Sequence, residues 1–228
     1  MTRHYLSFGG GVQSTALLLL LVDRGLDFEA VYADHHTDWP HVAEHVARMQ
    51  QIHPITVLDT GDLYAECLRY EIMPSRWQRW CTRQFKVEPM RAYYQRPCVV
   101  YLGISADEAH RAKASGDPDI EHVYPLVDEG IDRQGCIEII KAHGLPVPGK
   151  STCYICPFQS GRDFVRLRQY HPELFERVKV MEQRFVQRRI AAGKEPSYLR
   201  DKPIDEIAQE GQLDMFDGWG VHPCLCEV

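Results

Sequence analysis

The stretch "SFGGGVQST", residues 7 to 15, constrains this chain more than any other. Three consecutive glycines stand between a strand-like run, His4 to Phe8, and the apolar run Ala16 to Val22. Glycine loses more conformational freedom on folding than any other residue, so a plain turn has no use for three. At the carboxyl end of the first strand of a parallel sheet, the same glycines let backbone N–H groups turn outward around an anion. The N-terminus of the next helix adds partial positive charge there. The stretch therefore reads as a phosphate-binding strand, loop and helix, in which Ser14 and Thr15 cap the helix and can offer hydroxyls to phosphate oxygens. It fits neither G-x-x-x-x-G-K-[ST], since no lysine precedes Ser14, nor G-x-G-x-x-G, since residue 14 is serine. A tight capped turn is the plainer reading.

Beyond the loop, strand-like and helix-like segments alternate. Ser14 to Arg24 reads as a helix stopped by Gly25, Phe28 to Ala33 as a strand, His41 to His53 as a helix after Pro40, and Ile55 to Leu58 as a third strand. Asp62 to Tyr70 and Val87 to Tyr94 read as helices, and Cys98 to Ile104 as a buried strand. Such alternation predicts an α/β fold with an open parallel sheet flanked by helices. From Ser105 to Lys150 glycine and proline punctuate the chain, and Gln134 to His143 is its one clear helix. Gly161 to Ala192 is helical with a break at His171-Pro172. We expect a nucleotide-binding domain over 1–150 and a helical, cysteine-containing part over 151–228.

Composition narrows the class. A hydrophobic share of 44% with 25% charged residues excludes disordered and collagen-like chains, and a net charge of −6 argues against a broad non-specific nucleic-acid coat. The run Leu17 to Leu21 follows a glycine turn, precedes Asp23-Arg24 and has no small-residue cleavage site, so no signal peptide is expected. It is too short to span a bilayer. The expectation is a soluble, cytoplasmic protein without a membrane partner.

Eight cysteines are unevenly spaced. Cys67, Cys98 and Cys136 sit in apolar surroundings and read as small buried hydrophobes. Cys153-x-x-Cys156 followed by Pro157 reads as metal or redox chemistry, with two further ligands needed to complete a tetrahedral site or a four-iron cluster. Arg76, Arg79, Arg83 and Lys86 cluster around Cys81, with Arg111 and Lys113 further on; they suit a polyphosphate or sulfate group, or form a solvated basic face. Asp34, at the end of the second strand, is placed to hold Mg²⁺ or orient an acceptor, or to cap the next helix. "HVAEH", residues 41 to 45, matches a zinc-peptidase pattern that any amphipathic helix can produce by chance. His35 and His36 stay undecided.

"GGGVQST" resembles the pyrophosphate loop, S-G-G-x-D-S in its usual form, of the adenine-nucleotide alpha-hydrolase (PP-loop) superfamily. "RWCTRQFKVEPM" (79 to 90) and "GISADEAHRAK" (103 to 113) resemble segments of its PAPS reductase-like branch, and "STCYICPF" (151 to 158) resembles a Cys-x-x-Cys-Pro element of its iron–sulfur members. The chain departs from the pattern at Gly9, usually serine, at Gln13, usually aspartate, and at Ser105, usually arginine. It also lacks the E-C-G-L-H that carries the redox cysteine of sulfonucleotide reductases.

The resemblance implies a Rossmann-like fold and a nucleotide held by Ser7, Gly9, Gly10, Gly11, Gln13, Ser14, Thr15, Gly103, Arg83 and Arg111. It implies an ATP pyrophosphatase that adenylates an acceptor for sulfur insertion with Mg²⁺, in which Asp34, Lys86 and Cys226 act in the chemistry. A [4Fe-4S] cluster on Cys81, Cys153, Cys156 and Cys224 is implied, with Cys226 competing for the fourth place and Zn²⁺ as the alternative metal. The acceptor would be a nucleic acid or small molecule, and a sulfur-donor protein is a possible partner. Two other readings stay open: a PAPS or APS reductase releasing sulfite, and a non-catalytic nucleotide and iron–sulfur sensor subunit.

Overall fold

A computed structural model describes residues 2–210. Its frame is one sheet of five parallel strands: β1 (Arg3–Ser7), β2 (Glu29–Asp34), β3 (Ile55–Asp59), β4 (Cys98–Leu102) and β5 (Ile120–Val123). The order is β3-β2-β1-β4-β5, so the chain runs outward from β1 through β2 to β3 and then returns to β4 on the other side of β1. The order therefore reverses between β1 and β4. Crevices at such switch points, beyond the carboxyl ends of the strands, are where open α/β sheets bind ligands.

Both faces of the sheet are covered, and the strand period of two sorts the side chains between them. Leu6, Ala30, Tyr32 and Tyr101 enter the larger core, whereas their neighbours Tyr5, Val31, Ala33 and Val100 enter the smaller one. The central helix α1 (Val12–Asp23) is apolar almost all round, and Leu17, Leu18, Leu19 and Leu21 are all buried in the larger core. Removing one such leucine side chain costs roughly 2–5 kcal/mol, which is why this run tolerates no polar face.

Into the same larger core pack α2 (Pro40–Met49), α3 (Leu63–Tyr70), α7 (Arg133–Ala142), α8 (Gly161–Tyr170), α9 (Pro172–Ala191) and α10 (Ile204–Glu210), with α7 lying directly against α1. The other face is covered by α5 (Glu88–Tyr93) through Met90, together with Tyr94. A short α4 (Trp80–Thr82) leads into α5 through one widened π turn, Arg83–Val87; α6 (Pro125–Asp128) follows β5. Local signals set the ends. Asp62 and Asp132 cap α3 and α7 by accepting from Ala65 N and Gly135 N, and Ser160 and Asp163 form a reciprocal box at α8. The break between α8 and α9 falls at His171, whose extended φ of −139° is what a residue before proline adopts.

The strand β5 lies inside the stretch that reads as irregular in the sequence. α1 also opens two residues before Ser14, with Gly11 as its cap residue. Residues on both sides of position 150 share the larger core, for example Leu17 with Phe164 and Val178. Among the described residues no helix is long and apolar enough to cross a membrane.

Candidate functional site

The glycine loop lies at the switch point. Gly10 has φ of +70°, and a Cβ there would meet Val42 Cγ1 at 3.0 Å, so only glycine fits without strain. The Ser14 hydroxyl accepts from Gly11 N at 3.1 Å and reaches the Gly11 carbonyl at 3.2 Å, tying the loop to the first turn of α1. From the other side, β4 leads into Gly103, where a Cβ would stand 2.9 Å from Ser14 N. The two strand ends thus close on one helix N-terminus, whose backbone donors and dipole favour an anion.

Two loop residues face elsewhere. The Thr15 hydroxyl is fully buried, 2.8 Å from His45 Nε2, so it serves the packing of α2 instead of offering itself to phosphate. Burial above all, with Arg48 and His41 adding, lowers His45 to about 4 and keeps it neutral. Gln13 is buried, donates to Glu108 Oε2 at 3.5 Å and accepts from Arg133 Nη1 at 3.4 Å. Arg111 reaches the same Glu108 oxygen at 2.7 Å. Gln13 therefore joins a polar group with Glu108, Arg111 and Arg133 at the β4 side of the switch point. Ser7 ends β1 with its hydroxyl 3.7 Å from Met90 Sδ, and Gly9 is half-buried.

Asp34 ends β2, and its carboxylate accepts from His36 N at 2.9 Å. His36, exposed and at φ of +61°, points to Asp59 at 3.0 Å. The basic cluster around Cys81 divides. Arg79 and Lys86 line a cleft, Arg76 braces the cysteine loop by donating to Pro157 O at 2.8 Å, and Arg83 is exposed, 3.6 Å from Glu88. The zinc-peptidase pattern dissolves as well: His41 lies 3.1 Å from the Lys150 carbonyl and His45 packs on Thr15.

That cleft collects His35, Cys81, Lys86, Cys153 and Cys156. Three of the four expected metal-binding cysteines thus line one cleft; Cys224, and with it Cys226, lies outside the described residues. The cysteine loop is bolted to the exit of β2. Asp38 and Cys153 form an antiparallel bridge, Tyr154 N donates to Thr37 O at 2.8 Å and Trp39 N to Thr152 O at 3.2 Å. The fully buried Gln159 accepts from Trp39 Nε1 at 3.1 Å and donates to the Tyr154 and Cys153 carbonyls at 2.7 and 3.1 Å. Cys67, Cys98 and Cys136 are buried in the two cores.

A tighter set lies at the bridge. His35 Nε2 stands 3.5 Å from Asp38 Oδ1 and 3.6 Å from Cys153 Sγ. Burial holds His35 below its usual range; for Asp38 burial acts upward, but His35, Lys86, Tyr32 and Cys153 together hold it below the usual carboxylate range. Of the four cysteines expected to hold a cluster, Cys81, Cys153 and Cys156 line this cleft, and Cys153 also belongs to the closer set with His35 and Asp38. The sequence reading left His35 open and missed Asp38; both stand in the four residues that follow Asp34, "HHTD", where a histidine and a carboxylate at a sheet's carboxyl edge were the available signal.

The fold defines an α/β protein of Rossmann-like architecture, with a glycine loop at the switch point of its parallel sheet. Among solved structures the chain is similar to phosphoadenylyl-sulfate (PAPS) reductase from Candida auris in its phosphate complex, with a TM-score of 0.50, 13% identity, and coverage of 65% of this chain and 76% of that one. It is 25% identical to an uncharacterized protein of Methanocaldococcus jannaschii, a match that covers 75% of this chain. The chain spans 45% of that relative's length. No protein-family model matches it.

Proposed function

We propose that this chain is a PP-loop nucleotide enzyme that adenylates an acceptor, in support of sulfur insertion. The observation that carries the reading is the closure of the glycine loop and Gly103 on the N-terminus of α1, at the switch point of a parallel sheet. In the reaction an acceptor oxygen attacks the α-phosphorus of ATP, the bond to the bridging oxygen breaks, and pyrophosphate leaves. Sulfur then displaces AMP from the adenylated acceptor. Backbone donors of residues 9 to 11 and the dipole of α1 would take up the charge that develops on pyrophosphate, with Lys86 and Arg79 at the neighbouring cleft. Asp34 would hold Mg²⁺, which would supply further neutralisation of the phosphates. Gln13, neutral where the superfamily usually has aspartate, brings no charge to that ion. The acceptor is a nucleic acid or small molecule, and Cys226 would carry the sulfur received from a donor protein. The expected cluster enters no step here.

A second reading is favoured by the likeness to PAPS reductase: a sulfonucleotide reductase, in which a thiolate attacks the sulfate sulfur, the adenosine phosphate leaves, and a second thiol from a dithiol reductant then frees sulfite from the S-sulfonate, leaving a disulfide. Calorimetric titration with ATP, PAPS and APS, each with Mg²⁺, separates the two. Binding of ATP alone, weakened at least tenfold in Ser14→Ala, supports adenylation. Preference for a sulfonucleotide, with sulfite as product, replaces it by the reductase. Binding of no nucleotide overturns both.

A further inference from the structure

We propose that His35, Asp38 and Cys153 hold a single divalent ion of the zinc class at the carboxyl edge of the sheet. The site is independent of the nucleotide reading and rests on four observations. The first is span. Around one tetrahedral zinc, with metal–nitrogen bonds of about 2.0–2.1 Å and metal–sulfur bonds of about 2.3 Å, two ligand atoms stand roughly 3.3–3.6 Å apart. His35 Nε2 is 3.5 Å from Asp38 Oδ1 and 3.6 Å from Cys153 Sγ, and the three ligand atoms lie within 4.8 Å of one another.

The second is the outer partners. A metal-binding imidazole is normally fixed through its other nitrogen, and a metal-binding carboxylate through its other oxygen. His35 Nδ1 stands 2.8 Å from Thr37 Oγ1, and Asp38 Oδ2 accepts from the Tyr32 hydroxyl at 2.5 Å. Both ligands thus present one atom to the set while the other atom is held. The third is the backbone. Cys153 is brought to Asp38 by the antiparallel bridge and by Gln159, so the ligands stand together before any ion arrives.

The fourth is chemistry and charge. The side chains of His35 and Asp38 are only 1% and 9% exposed, and a carboxylate and an imidazole are not taken out of water together without compensation. One imidazole, one thiolate and one carboxylate suit zinc and are a poor set for Mg²⁺ or Ca²⁺, which take oxygen. Deprotonated Asp38 and Cys153 balance the two charges of the ion, so the cleft keeps the positive charge that Arg79 and Lys86 bring to it. Three protein ligands leave a fourth position open, the pattern of reactive zinc sites. His35 and Cys153 border the cleft that also holds Cys81 and Cys156, so that position is where a thiol or sulfur substrate would be taken.

Elemental analysis of full-length protein as isolated, followed by chelation and titration with Zn²⁺ and then Co²⁺, tests the assignment. The expected result is one zinc per chain and a cobalt spectrum with a thiolate charge-transfer band that Cys153→Ser abolishes. His35→Ala and Asp38→Asn should each weaken zinc binding at least tenfold. Thr37→Val, which leaves every ligand in place, should weaken it about 10–100-fold; it keeps the test decisive if a ligand variant fails to fold. Iron with equal acid-labile sulfide, retained in His35→Ala and lost in Cys81→Ala, overturns the site in favour of a cluster. Unchanged zinc affinity in His35→Ala and Thr37→Val, or no metal binding at all, overturns it in favour of a purely polar network. ATP titration of the same samples reports on the nucleotide reading separately.

Discussion

Gly103 shows how one missing Cβ positions a site. It has no positive φ to justify it, and its reason lies in another segment: a Cβ would come within 2.9 Å of Ser14 N and 3.0 Å of Ser14 Cα, backbone atoms that cannot swing aside. Gly103→Ala should therefore push β4 and the first turn of α1 apart. The expected outcome is a loss of roughly 1–3 kcal/mol in urea unfolding and at least a tenfold loss of ATP affinity by calorimetry. Full retention of both would mean that the closure at the switch point is not what binds the nucleotide. The motif made Gly103 legible, but not its contact. The partners of Thr15 and Gln13 were hidden for the same reason: a loop pattern gives positions, whereas His45, Glu108 and Arg133, which hold those side chains, come from distant segments.

Among elements, the join between the cysteine loop and the exit of β2 depends on one buried amide. Gln159 satisfies an indole N–H and two carbonyls at once, and leucine at that position could satisfy none of them. Removing partners from buried polar groups costs about 1–3 kcal/mol each. Gln159→Leu should thus destabilise the protein by several kcal/mol in urea unfolding, and should speed hydrogen exchange in residues 152 to 154 more than in β1. Uniform exchange would show that the loop holds without Gln159. A buried carboxylate does similar work at the other end of the chain. Glu182 accepts from Leu199 N at 3.0 Å and Ile204 N at 2.9 Å, fixing the approach to α10 while burial pushes its carboxyl up. Glu182→Gln keeps only one acceptor oxygen, so a loss of about 1–3 kcal/mol is expected; an unchanged midpoint would dismiss that role. Element type was well marked in the sequence, because α1 and β2 carry continuous apolar runs bounded by charged residues and glycine. β5 was hidden because "IEHV" is a short edge strand between Pro118 and Pro125, with its sheet partner on one side only.

At the scale of the molecule, the alternation of strands and helices was enough to give a parallel sheet, and the glycines marked its working edge. What stayed hidden was the pairing of segments, such as His35 with Cys153 across 118 positions, since no local pattern encodes it. Burying histidines near that edge has a consequence for stability. His45 is lowered to about 4 by burial first, and burial also lowers His41, His122 and, in metal-free protein, His35. Unfolded, each returns to about 6.5. Between those values the unfolded chain binds more protons than the folded one, so stability is present above pH 6.5 and is lost as the pH falls toward 4. His36 and His143, raised by their carboxylate and carbonyl partners, work in the opposite sense, but His36 is largely exposed, and solvent screens it. The share of His45 is on the order of 3 kcal/mol at most across that window. The urea midpoint of chelator-treated protein should accordingly drop between pH 6.5 and 4, and His45→Gln, which can still meet the Thr15 hydroxyl, should flatten the slope. A midpoint that holds or rises over this range would mean that His45 takes up its proton without leaving its place between Phe8 and Thr15.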